Sequence, residues 1–197
     1  MARKTRSEIL YDGCFAHVFS RALEKHLIFE TEEDFRFFKS LLGRTKAKYD
    51  YRIYHYCLMN THFHLAVSLA SVKAFSRALH EIKQGYARWV HKKQKSEGPI
   101  WWGRFRSQLI ENEAYLSTCG LYIETNPIKA GMVQNPEEWP HSSSRHYFQG
   151  LPDPLVDSYE RPLSISAGVQ QNLDFVNGDI LGSELFRLQI QERLFDD

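Results

Sequence analysis

Residues 51–69 read YRIYHYCLMNTHFHLAVSL. Two runs rich in aromatic and β-branched residues, 51–59 and 62–69, flank Asn60-Thr61, and asparagine suits a tight turn. The stretch therefore predicts a β-hairpin. Alternate residues of a strand face the same side, so His62 and His64 share one face while Phe63 points to the other.

Outward from the hairpin the periodicity becomes helical. Over 31–48, Thr31 is a good N-cap, acidic residues fill the first turn, and Phe35, Phe38, Leu41 and Leu42 form an apolar stripe. Residues 72–95 predict a long helix that Ser96-Glu97-Gly98-Pro99 stops. Farther out, 14–22 and 102–110 read as strands. Asn112 caps a helix over 113–125, which ends before Pro127 because the residue preceding proline avoids the helical region. The order β-α-β-β-α-β, with one more helix after it, predicts an α+β, ferredoxin-like antiparallel sheet with an added C-terminal helix. Residues 1–150 form the expected domain. Residues 151–197 read as an acidic tail, rich in turn residues, in which Ser183 caps a final short helix.

With 43% hydrophobic and 14% aromatic residues in 197, the chain can bury a substantial core. No apolar run of about 18 residues predicts a membrane span. The three cysteines, Cys14, Cys57 and Cys119, are widely spaced and lack a CxxC pair, which predicts reduced thiols and a cytoplasmic protein. The net charge of +1 hides an asymmetry: residues 73–108 carry nine Lys/Arg against two Asp/Glu, whereas 150–197 carry three against nine. A basic stretch of that density can neutralise phosphates, and it is equally what a solvated helix face looks like.

Residues four apart on a helix share a face, so Tyr122 and Asn126 can address the same point as the two histidines. Two imidazoles and one amide oxygen suit Mg²⁺ or Mn²⁺, although zinc fits the histidines equally well. Beside such an ion a tyrosine can act as a nucleophile on a phosphodiester. Tyr122 is the candidate and Tyr115, seven residues earlier, the reserve. An aromatic filling a helix–sheet interface is the competing reading of either.

Lys83, Arg88, Lys92 and Lys93 are interleaved with Tyr86 and Trp89, and Arg104 and Arg106 with Trp101, Trp102 and Phe105. Cations along a backbone and aromatic faces under bases are how single-stranded nucleic acid is held. Tyr86 and Trp89 fit a protein core equally well. On a single strand face, Arg104 and Arg106 would present both guanidinium groups together.

Five stretches now resemble a known family: residues 17–21 (HVFSR), 56–65 (YCLMNTHFHL), 102–105 (WGRF), 122–131 (YIETNPIKAG) and 139–143 (WPHSS). In that order they are similar to the REP-associated tyrosine transposases, HUH-type single-tyrosine enzymes of bacteria. The resemblance implies that His62, His64 and Asn126 bind a divalent metal, Mg²⁺ or Mn²⁺. It implies that Tyr122 attacks DNA, forming a 5′-phosphotyrosine and freeing a 3′-hydroxyl. The substrate would be single-stranded DNA beside a hairpin palindrome, in a nucleoid-associated setting. Arg21, in the first stretch, joins the DNA-binding candidates. The family usually carries Pro-Asn before the first histidine, whereas this chain has Asn60-Thr61. Monomer and homodimer both remain open. A hairpin-binding protein that does not cut is the competing class, and a hydrolase of small phosphates a third, disfavoured by the absence of a glycine-rich phosphate loop.

Overall fold

The computed structural model describes residues 10–159, within a unit that spans Met1–Tyr159. The strands are β1 (Phe15–Arg21), β2 (Tyr51–Met59), β3 (His62–Leu69) and β4 (Arg106–Ile110). The helices are α1 (Glu32–Tyr49), α2 (Val72–Gln94), α3 (Glu113–Glu124), α4 (Asn126–Lys129) and α5 (Ser144–Gln149). The sheet order is β2-β3-β1-β4 with every neighbouring pair antiparallel, the ferredoxin-like arrangement expected from the element order.

One face of the sheet is the main core. Val18, Phe63, Leu65 and Val67 pack there against Phe35, Phe38 and Leu42 of α1 and Leu79, Ile82 and Tyr86 of α2. Phe38 meets Tyr86 edge-on at 5.0 Å and Phe63 at a 44° tilt at 5.1 Å. The start of α1 is fixed by Asp34, whose carboxylate accepts from the N–H and the hydroxyl of Thr31, both at 2.9 Å. The opposite face carries His17, Phe19, His62 and His64 and is crossed by α3.

Between Ile53 and His55 the register of β2 on β3 shifts, a β-bulge centred on Tyr54. Tyr51 and Ile53 lie in the α1–α2 core; after the bulge it is Tyr56 and Leu58 that do, and His55 and Cys57 turn to the α3 face. A bulge inserts one residue and so inverts the alternation beyond it.

Several boundaries differ from the sequence reading. The fourth strand begins at Arg106, not at 102: Gly103 adopts φ +62° and ends the extended run, while Trp101 makes an isolated bridge to Ala22. Arg104 and Arg106 therefore do not share a strand face. The tyrosine helix stops at Glu124, and Asn126 opens the separate short helix α4 with Pro127 in its first turn. Residues 144–149, for which the sequence predicts no element, form α5.

Residues 151–159 belong to this unit rather than to a tail. Leu155 is buried in the core, Asp157 exchanges backbone and side-chain hydrogen bonds with Ile53, and the Asp153 carboxylate accepts from the Tyr56 hydroxyl at 2.7 Å. The expected final helix after Ser183, and the rest of the acidic tail, lie outside the described residues. Among the described residues no helix is long and apolar enough to cross a membrane.

Candidate active site

His62 and His64 stand side by side on β3, rings 5.0 Å apart and nearly perpendicular at 85°. Each has its Nδ1 engaged by a neighbour. The Thr61 hydroxyl lies 2.9 Å from His62 Nδ1, and His17 Nε2 lies 2.9 Å from His64 Nδ1. Thr61 thus gives the unusual residue of the turn a defined contact. Nε2 is the nitrogen each ring has left to offer a ligand.

Burial keeps these rings neutral. It lowers His62 to about 4, with Arg21 adding to the effect. It lowers His64 well below the ordinary imidazole range, with smaller contributions from His62, His17 and Lys129. His17 is pushed down to about 3 by burial. A neutral imidazole presents its lone pair, which is the form a cation requires.

Tyr122 projects from α3 onto this face. Its ring meets His17 edge-on at 6.0 Å and His64 at 6.1 Å. The ammonium of Lys129 lies 4.1 Å from the centre of the same ring. Asn126 keeps its link to Tyr122 despite the helix break, because its amide N–H₂ donates to the Tyr122 carbonyl at 2.8 Å and to that of Ile123 at 3.2 Å. That leaves Oδ1 as the amide's acceptor end. Tyr115 sits two turns earlier on α3, about 10 Å back along the axis, and burial raises its phenol.

The donor chemistry fits a divalent cation: two neutral imidazoles oriented through Nδ1 and an amide oriented through its N–H₂. Among the described residues no three His, Cys, Asp or Glu side chains form a metal cluster; the Asn126 amide oxygen is the further donor that the sequence offers beside the two imidazoles. His17 is the residue that spacing did not single out. It lies on another strand, and only the register of β1 on β3 brings it to His64.

A second polar group anchors α3. His55 and Glu124 are both fully buried, with Nδ1 and Oε1 2.8 Å apart. Ser143 donates to the same oxygen at 2.8 Å, and the Tyr159 hydroxyl lies 2.7 Å from His55 Nε2. Glu124 Oε2 is buried without a hydrogen-bond partner among the described residues. A β-carbon on Gly120 would overlap the His55 ring, so this helical glycine is what admits the imidazole.

The basic candidates separate into distinct settings. Arg21 is paired in register with His62 and lays its guanidinium over the half-exposed Trp102 at 4.9 Å. Arg106 pairs with Phe19, whose ring stacks on His64. Arg104 is exposed in the bend before β4. Lys83 donates to Ser20 and to the Gly103 carbonyl, both at 2.8 Å, and so ties the bend to β1. Arg88 and Lys92 are exposed on α2, in the helix layer on the other side of the sheet. Lys93 is committed to Asp34 at 2.6 Å. Tyr86 and Trp89 are core residues: Tyr86 is fully buried, and Trp89 stacks on Phe37 at 4.3 Å and donates to Asp34. Trp101 and Phe105 are also buried, which leaves Trp102 as the exposed aromatic of the segment.

Comparison with known proteins gives the same direction. Residues 11–126 match the family described as "Transposase IS200 like". A Haemophilus influenzae protein named as a REP-associated tyrosine transposase is 28% identical over 118 residues, covering 54% of this chain and 66% of that protein. A solved REP-associated tyrosine transposase, bound to a REP hairpin, superposes with a TM-score of 0.63 at 20% identity, covering 84% of this chain and 96% of that one.

Proposed function

The chain belongs to the IS200-like transposase family, and from that premise we propose that it is a metal-dependent endonuclease and strand transferase acting on single-stranded DNA beside hairpin palindromes. Tyr122 is its nucleophile. His62 and His64, through Nε2, and Asn126, through Oδ1, hold Mg²⁺ or Mn²⁺. When bound, that ion polarises the scissile phosphate and offsets charge on the departing oxygen.

The chain's own residues account for the remaining steps. The Tyr122 oxygen bonds to phosphorus, the bond from phosphorus to the 3′-oxygen breaks, and the phenol proton passes, in net balance, to that 3′-oxygen. The products are a 5′-phosphotyrosine and a free 3′-hydroxyl. The ester conserves the energy of the broken bond, so another 3′-hydroxyl can reverse the step without ATP. His17 and Thr61 orient the two imidazoles. Arg21, Arg104 and Arg106 meet the DNA backbone, with Trp102 offering a face to an unpaired base. A cytoplasmic, nucleoid-associated setting suits this substrate.

The observation that carries this reading is the position of the Tyr122 ring, edge-on to both His17 and His64. The hairpin in the solved relative supports the choice of substrate. The test is incubation with end-labelled hairpin-bearing single-stranded DNA and Mn²⁺ or Mg²⁺, followed by a denaturing gel that resolves protein. A metal-dependent covalent adduct that disappears in Tyr122→Phe is the expected result. Tight binding with no adduct for any hairpin from around its gene would instead support recognition without cleavage.

A further inference from the structure

We propose that Lys129 is a further catalytic residue, whose ammonium neutralises the phosphate that Tyr122 attacks; the inference rests on the nucleophilic role given to Tyr122 above. Its Nζ lies 4.1 Å from the centre of the Tyr122 ring. Its charge also reaches His64, whose ring meets that of Tyr122 edge-on at 6.1 Å. The cation therefore sits against the nucleophile's ring and within electrostatic reach of one histidine of the pair.

The short helix α4 explains this placement. Asn126 opens it and Lys129 closes it, one turn apart, so both project to the same side. The segment is fixed at both ends. Pro127 is buried in its first turn, the Lys129 N–H donates to the Thr125 carbonyl at 3.1 Å, and Gly131 turns the chain away at φ +67°. Because the Asn126 amide is bonded to the Tyr122 carbonyl, the origin of the lysine side chain is held relative to the nucleophile.

The other cations near the site have different settings. Arg21 lies over Trp102, and Lys83 is held by Ser20 and Gly103. Glu124, the acid nearest Tyr122 in sequence, is turned into the interior against His55 and Ser143. Attack by tyrosine on a phosphodiester gathers negative charge on the non-bridging oxygens, and a preplaced cation stabilises that charge more than it stabilises the ground state. A lysine resting on an aromatic face is well suited to this, since a cation–π contact is weak enough to exchange for a phosphate oxygen. No bond to Lys129 forms or breaks, and the ammonium stays protonated throughout.

The test compares Lys129→Met, Lys129→Gln and Lys129→Arg. Two readouts are needed: the single-turnover rate of adduct formation at saturating hairpin DNA with Mn²⁺, and the DNA Kd by fluorescence anisotropy in EDTA. The Lys129 side chain is exposed, so folding, checked by thermal melting, is expected to survive. Met and Gln should slow the adduct roughly 100-fold, with Kd changed less than about threefold. Arg should recover the rate to within about tenfold. An unchanged rate in Met and Gln overturns the proposal while leaving the Tyr122 reading intact. So does a weakened Kd with an unchanged rate at saturation, which would make Lys129 a backbone contact only. Absence of a Tyr122 adduct in the wild-type protein removes both.

Discussion

His17 Nε2 and His64 Nδ1 face each other at 2.9 Å inside the protein, with their rings stacked at 5.1 Å. The pair spans two strands and fixes which nitrogen of His64 is available to a ligand. Such outer partners hold ring orientation and raise ligand basicity.

His17→Phe keeps an aromatic ring in the buried space and removes the hydrogen bond. Mn²⁺ affinity, followed by the EPR signal of the free ion, should fall about 10- to 100-fold. Unchanged affinity would show that His64 needs no orienting partner.

The His55–Glu124 pair holds α3 on the sheet. Glu124→Ala leaves His55 Nδ1 and the Ser143 hydroxyl without their acceptor and should cost about 3 kcal/mol in urea denaturation. Gly120→Ala should also destabilise, because the new methyl and the His55 ring compete for one space. A loss below about 1 kcal/mol for Glu124→Ala would mean that the network is not what anchors the helix.

Acid should weaken the fold before carboxylates titrate. His17 is held at about 3, His62 at about 4 and His141 at about 4, each chiefly by burial and each below the ordinary 6.5. Below 6.5 the unfolded chain takes up protons that the folded chain refuses, so stability falls as pH drops from 6.5 towards 4. Each group contributes a slope of up to about 1.4 kcal/mol per pH unit. Denaturation midpoints measured in EDTA across that window check this, and a flat profile would contradict it.

Lys93 should matter to the fold and not to DNA. Burial raises the Asp34 carboxyl, but hydrogen bonds from Lys93, Trp89 and Thr31 outweigh that and hold it at about 2. Lys93→Met should lower the melting temperature and leave hairpin Kd within about twofold. A large loss of DNA affinity with unchanged melting would reverse this assignment.

The hairpin at 51–69 was legible because its two runs and turn agree with each other, and the helices on either side because their apolar stripes are regular. The β4 start was not, since Gly103 ends an extended run whose aromatic–arginine alternation continues through it. The β-bulge at Tyr54 leaves no trace in a string of large residues, so His55 gave no sign of facing α3. Residues 151–159 have no period because they attach through single anchors, Asp153, Leu155, Asp157 and Tyr159. The site followed the same division. His62 and His64 are two apart on one strand and could be read together. His17 joins them through strand pairing, and Lys129 joins Tyr122 only after the break at Thr125.

The central claim is that Tyr122 becomes covalently joined to DNA, and mapping the joined residue tests it most directly. After reaction with hairpin-bearing single-stranded DNA and Mn²⁺, nuclease trimming and trypsin digestion release a peptide covering residues 107–129, which contains both Tyr115 and Tyr122. Fragmentation in a mass spectrometer should locate the nucleotide phosphate on Tyr122. A phosphate on Tyr115 or on any other residue would contradict the account.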